Sequence, residues 1–366
     1  MPVERLVPAP MKIVHASNFT VRWNGEGYYT IPYKLSSGFT RLGHFVFNYC
    51  DQDVARANPL RWRKLGEGGA NRKLVAICRE IRPDLLLLGH CTLIRADTVR
   101  AIRDALPSLR VAHWNCDGLF VPSNLARLQA LSPVADASFV TTAGAVLSQV
   151  VRDGGRVCFM PNPVDRSVES LRVFDSDILP NDLVFLTGFD AYDAEKREIC
   201  DAIGSRLPDL KFDVRGLYGK PGVYGAGMFD VIGQAKMGLN VSKRSDVRLY
   251  SSDRMSQFMG CGLLTFVDRR TGFGEIFGPD ELVTYAGIDE LVERIEYYRS
   301  HDSERKCVAE RGWRRAHEIF SETLVAQWIV DVTFGHPPTH DYVWPRDVYG
   351  SAGPENAFQA GTQRST

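Results

Sequence analysis

A cation opens a helix where the backbone prefers an anion. Arg254 follows Tyr250-Ser-Ser-Asp253 and precedes Met255, Phe258 and Met259, whose spacing marks one buried helical face. Ser251, Ser252 and Asp253 are all suitable N-caps. A positive charge in a first turn opposes the helix dipole by about 0.3–1 kcal/mol, so Arg254 calls for an anion of its own. Lys243, Arg244 and Arg248 crowd the preceding loop. Backbone N–H groups, the Ser252 hydroxyl and these four cations together describe a receptor for a phosphate or diphosphate. For any one of these charges a solvated basic loop is the plainer reading.

Groups that could move a proton sit in the amino-terminal half. Asp117, in His113-Trp-Asn-Cys-Asp117-Gly118, falls at the carboxyl end of an expected strand. It is a candidate general base for an acceptor hydroxyl, or the cap of an Asp-Gly turn. His90, in Gly89-His90-Cys91, ends another expected strand and is the alternative base. Glu26 is a third candidate, exposed between Gly25 and Gly27. Those two glycines let backbone approach a ligand phosphate, although Asn24-Gly25 is also an ordinary turn. A dinucleotide site fits poorly, because the third glycine and a ribose acid are missing. His15 lies inside an expected strand and reads as a core histidine. Asp51-Gln-Asp53 and Asp175-Ser-Asp177 have metal-holding spacing without a supporting context, so neither a metal nor a cofactor is expected.

Two stretches of the same grammar must position these groups. Lys12–Ala16, 44–48, Leu85–Leu88, 110–114, 138–141 and 157–160 are short apolar runs alternating with helical patterns. The rhythm breaks at Pro161-Asn-Pro-Val-Asp165, and 166–181 is polar and irregular. It restarts with Leu183-Val-Phe-Leu-Thr187 and runs to a helix over Leu324–Val332 that is expected to pack back across a cleft. This pattern implies α/β architecture: two Rossmann-like, doubly wound domains facing each other across the cleft, over 11–165 and 182–332. The segment 333–366 reads as a tail, disordered beyond Tyr349. Ligands in such folds sit at the carboxyl ends of the strands.

Forty-four basic and 44 acidic residues in 366 balance, so no global field recruits nucleic acid. Eight scattered cysteines show no metal-binding spacing and suit a reducing compartment. With no signal-peptide pattern and no apolar run of membrane-spanning length, a cytoplasmic location is expected, and peripheral membrane contact is left open.

The order Ala235-Lys-x-x-Leu-Asn240, Ser252-x-Arg254, then Gly260-x-Gly262 into a strand resembles the donor domain of CgeB-type glycosyltransferases, a group similar to glycosyl transferase group 1. The likeness continues through Phe273-Gly-Glu-Ile-Phe277, 289–298, Arg305 and Arg311-Gly-Trp313. It implies the GT-B fold and a metal-independent transfer of sugar from a nucleotide diphosphate donor to an acceptor hydroxyl. The acceptor would be a bacterial surface glycan, a lipid-linked glycan or a protein. Arg215-Gly-Leu-Tyr218-Gly219 would hold the nucleotide base by backbone and stacking, and Glu275 or Asp268 the ribose. One departure stands out: Gln257 occupies the place of a glutamate usual in that family. Two other readings remain, a sugar-nucleotide 2-epimerase of similar fold and an inactive nucleotide-sugar-binding partner subunit.

Overall fold

The computed structural model describes residues 9–57, 63–151, 155–188, 194–350 and 353–356. The first sheet has six parallel strands: β1 (Lys12–Ala16), β2 (Phe45–Tyr49), β3 (Leu85–Leu88), β4 (Arg110–Asn115), β5 (Ala137–Val140) and β6 (Val157–Phe159). Helices α1 (Ile31–Arg41), α2 (Asp51–Arg56), α3 (Arg63–Ile81), α4 (Ala96–Ala105) and α5 (Pro122–Leu131) connect them. β3 is four leucines with no exposed surface, as a strand covered on both faces should be.

The second sheet is β11-β10-β9-β7-β8, again all parallel. Its strands are β7 (Asn181–Leu186), β8 (Phe212–Arg215), β9 (Ala235–Asn240), β10 (Leu264–Asp268) and β11 (Val283–Tyr285). Its helices are α6 (Ala194–Arg206), α7 (Gly225–Ile232), α8 (Arg254–Gly260), α9 (Ile288–Ser300) and α10 (Asp302–Ile319). In both sheets every crossover leaves the carboxyl ends of the strands on one side, where the candidate groups collect.

After α10 the chain returns to the first domain. Helix α11 (Glu322–Phe334) lies against α1, and Trp328 donates from Nε1 to the Phe159 carbonyl at 2.9 Å. The segment after 332, read as a tail, carries structure. Tyr342 and Trp344 are buried beside Trp328. β12 (Asp347–Gly350) pairs antiparallel with β6, and β13 (Gly353–Asn356) pairs with β12. This corrects the expectation of disorder beyond Tyr349 for 350 and 353–356; residues 357–366 lie outside the described residues.

The interdomain segment is also more tied than its polarity suggests. Val173 and Phe174 are buried in the second domain, and Val164 bridges to Ser321. Lys34 of α1 forms a buried ion pair with Glu169 and donates to the Pro163 carbonyl at 3.1 Å. Arg41 reaches Asp165 at 2.8 Å and also pairs with Glu322. Gly260, the last residue of α8, has no room for a side chain, because a Cβ there would fall 2.7 Å from Val164 and 2.8 Å from Glu169.

Candidate functional site

Two adjoining cavities occupy the seam between the domains. The first, of about 450 Å³, takes Tyr29, Thr30 and Cys116 from the amino-terminal domain. From the other domain it takes Thr187 and Gly188 after β7, Lys196 of α6, Tyr224, Lys243, and Tyr250 through Arg254 with Gln257. The second, of about 210 Å³, is lined by Asn18, Thr20, Trp23, His90 and Trp114 among others. Thr30, Cys116 and Asp253 line both cavities.

Of the expected phosphate ligands, Arg254, Lys243 and Ser252 come together at the first cavity. Arg254 donates from Nη2 to the Val241 carbonyl at 3.3 Å, and its guanidinium lies 6.0 Å from the Phe185 ring centre. The Ser252 N–H is taken by Ser242 Oγ at 3.0 Å, and the Arg254 N–H reaches Ser252 Oγ at 3.4 Å. Asp253 stands at the N-cap without a side-chain capping bond. Helix α8 has seven residues, so the cations rather than a long dipole supply the positive field.

Other expected ligands stand elsewhere. Arg244 pairs with Asp246 at 2.5 Å, both half exposed, and lies 5.7 Å from the Phe120 ring. Arg248 and Glu275 pair with each other at 2.6 Å on the surface. Asp268 caps Arg270 and lines a separate cavity of about 470 Å³ with Glu195 and Tyr285. Arg215 pairs with Asp213 at 2.8 Å, and Tyr218 donates to Asp201 at 2.5 Å. None of these six lines the first cavity.

In the amino-terminal loop Gly25 has a φ of +84°, and a Cβ on Gly27 would sit 2.3 Å from Thr20 Oγ1. Glu26 packs against Gly225 at the start of α7, and the Tyr29 and Phe229 ring centres are 5.9 Å apart. The loop therefore touches the opposite domain, while Tyr29 and Thr30 just beyond it, not the glycines, line the cavities.

His90 lines the second cavity, stacked 5.3 Å over Trp114. Its Nε2 lies 3.4 Å from Cys116 Sγ and 3.7 Å from Asp117 Oδ2, and Arg127 holds the same Asp117 oxygen at 3.3 Å. Asn115 Oδ1 accepts the Asp117 N–H at 2.8 Å, so that turn is capped from Asn115. Asp117 lies behind His90 and lines neither cavity. Trp114 is set by the core: its Nε1 donates to His15 Nε2 at 3.1 Å, and His15 Nδ1 bonds Ser36 Oγ at 2.8 Å. Burial lowers the His15 pKa to about 3, which keeps the ring neutral for this relay. The Asp51-Gln-Asp53 pair is structural, Asp51 accepting the Leu93 N–H at 2.8 Å and Asp53 pairing with Arg22 at 3.0 Å. Among the described residues no acidic, histidine and cysteine group gathers to hold a metal, and no helix is long and apolar enough to cross a membrane.

Three residues were not read as site residues from sequence. Lys196 is buried, with Nζ 3.4 Å from Thr187 Oγ1. Gln257, noted only as a departure, is 3% exposed in the cavity wall with its Oε1 unpartnered. Asp253 was read only as a cap. Burial pushes its carboxyl above the ordinary range, offset in part by Lys34, His90 and Arg254.

Residues 195–329 match the Glycosyl transferase-like family, a span within the second domain and the helix that follows it. No curated protein matches the chain. Among solved structures, sucrose-phosphate synthase from Thermosynechococcus elongatus superposes with a TM-score of 0.54 at 12% identity, over 88% of this chain and 98% of that one. HepE from Anabaena, solved with UDP and glucose, gives 0.53 at 12% identity over 89% and 100%. A UDP-N-acetylglucosamine 2-epimerase assignment from Listeria monocytogenes gives 0.52 at 11% identity over 91% and 99%. The architecture is that of GT-B: two parallel-sheet Rossmann-like domains with a cleft between them.

Proposed function

We propose that this protein is a glycosyltransferase that moves a sugar from a nucleotide diphosphate sugar to an acceptor hydroxyl. The observation that carries the reading is the first cavity, where Lys196, Lys243 and Arg254 converge at the carboxyl ends of the second sheet. Such cations neutralise a departing diphosphate without a metal. As the acceptor oxygen bonds to the anomeric carbon, the bond from that carbon to the phosphate oxygen breaks. Its electron pair leaves with the diphosphate, and the hydroxyl proton passes to a base. His90 is the base that geometry favours, with Asp117 and Arg127 behind it. The match over 195–329 and the HepE structure with UDP and glucose support a nucleotide-sugar donor. A surface glycan, a lipid-linked glycan or a protein suits the acceptor side. The described cysteines are free thiols, which suits the cytoplasm.

The approach of His90, Asp117 and Asp253 also fits a sugar-nucleotide 2-epimerase, which needs acid–base groups around the sugar. Turnover of UDP-, GDP-, dTDP- and ADP-sugars with and without a glycan acceptor separates the readings. A transferase yields a new glycoside only with acceptor. An epimerase alters the sugar without one, and an inactive partner subunit does neither.

A further inference from the structure

The two cavities differ in charge, and the difference bears on what the acceptor is. Lys196, Lys243 and Arg254 line the first; among its described lining residues the second has no lysine or arginine. Instead it presents the Trp23 indole with Asn18, Thr20 and His90, the last stacked on the enclosed Trp114. Asp253 stands where the two meet. Trp23 is 49% exposed, at the mouth, and Thr20 Oγ1 is buried in the wall without a partner. The Asp253 carboxylate makes no hydrogen bond or ion pair with the described residues, although it adjoins Arg254.

We propose that the second cavity binds the acceptor as an uncharged monosaccharide ring, and that Asp253 accepts hydrogen bonds from its hydroxyls and holds the attacking one against the donor. The proposal rests on the glycosyl-transfer reading. A sugar ring offers an apolar C–H face to the Trp23 indole and O–H donors to a carboxylate, which accepts only. A phosphate in this cavity would meet the Asp253 charge with no lysine or arginine among the described lining residues, an arrangement that disfavours it. Lys34 and Arg254 lie beyond the wall, and Arg22 is stacked on Trp23 at the mouth. The volume, about 210 Å³, suits one ring with the rest of the acceptor outside past Trp23.

The groups facing Asp253 are Lys34 from α1, His90 after β3, Cys116 and Asp117 after β4, Tyr29 before α1, and Tyr250 and Arg254 on its own segment. Burial outweighs the cations among them. A carboxylate left short of partners at the edge of a cavity, beside the bare Thr20 hydroxyl, is one that a hydroxyl-bearing ligand completes.

The test uses the full-length protein, UDP-, GDP-, dTDP- and ADP-glucose as donor probes, and methyl glycosides against hexose 6-phosphates as acceptor probes. Neutral glycosides should be preferred over phosphorylated ones by at least about tenfold in kcat/KM. Asp253→Asn should lower kcat/KM for the neutral acceptor by about 10- to 100-fold and narrow that preference. The donor dissociation constant should not rise by more than about threefold, since removing a negative charge beside Arg254 only relieves repulsion of the diphosphate. Trp23→Ala, at an exposed position, should raise the acceptor KM and leave donor affinity unchanged. Preference for phosphorylated acceptors, or an unchanged preference in Asp253→Asn, overturns the proposal while the transferase reading stands. Failure of the unaltered protein to bind any of the four donors overturns the reading itself, and this inference with it.

Discussion

Acidic side chains stand on both sides of the same seam, and the fold bonds them to different extents. In the strap that ties α1 to the interdomain segment, Asp165 Oδ1 accepts from Arg41 and from the Ser167 N–H and hydroxyl, each at 2.7–2.8 Å. Burial alone would raise its carboxyl, but those bonds outweigh it and hold the group below its ordinary value. Glu169 accepts the Asp165 N–H at 2.8 Å and pairs with Lys34, yet burial still raises its carboxyl. On the cleft side, Asp253 is half-buried where the two cavities meet, and desolvation raises its carboxyl, with Lys34, His90 and Arg254 offsetting this only in part. The strap carboxylates take several bonds from the fold, although Asp165 Oδ2 stays without a partner, whereas the Asp253 carboxylate takes none from the described residues. The same contrast separates Gln257, with a bare buried Oε1, from Gln327, whose amide donates to Asp331 at 2.7 Å.

The largest expected effect lies in the strap. Glu169→Ala leaves the Lys34 ammonium buried without its partner and should cost about 3–5 kcal/mol of stability by chemical denaturation. Replacing both residues with apolar ones of similar volume should recover most of that loss. A loss below about 1 kcal/mol for the single change would mean that the strap is solvated and the contrast with Asp253 is lost.

Asp253→Asn should act with the opposite sign. A carboxyl whose folded pKa is raised destabilises the fold above that pKa, because the charged form is buried, and the penalty fades as pH falls into the ordinary carboxylate range. The substitution should therefore raise the melting temperature at pH 7–8 and leave it unchanged near pH 4. A drop at neutral pH would show that Asp253 is structural. His15 titrates the other way: with its pKa held near 3, stability should fall as pH drops below its ordinary value of about 6.5 toward 3.

The smallest effect belongs to the exposed Arg248–Glu275 pair. Alanine at either position should change stability by less than about 1 kcal/mol. Nucleotide affinity should be unaffected, since neither residue lines the cleft.

The alternation of apolar runs with helical patterns carried most of the sheet order, because strands covered on both faces, such as Leu85–Leu88, have no polar residues to blur them. Missed elements lack such a signal. The stretch Tyr224-Gly-Ala-Gly227 reads as a helix entry and opens α7, but β12 and β13 form a glycine- and proline-bearing edge hairpin that only pairing with β6 makes legible. In the site, Arg254 was legible because a cation at a helix start is locally unfavourable. Arg248 and Glu275 were individually plausible ligands, but the sequence does not show that 27 residues apart they meet each other. Asp253 was hidden by its own position, since an aspartate before a helix looks like a cap. Lys196 was one lysine among several charges of α6, and only folding carries it to the cleft.

The central claim is that the Arg254 wall of the first cavity receives a nucleoside diphosphate. Calorimetric titration of the unaltered protein and of Arg254→Ala with UDP, GDP, dTDP and ADP tests it most directly. At least one diphosphate should bind, and the substitution should weaken it by about 1.5–3 kcal/mol, the worth of a charge-assisted contact, with the fold intact. Equal affinity in both proteins, or no binding by either, would contradict the claim.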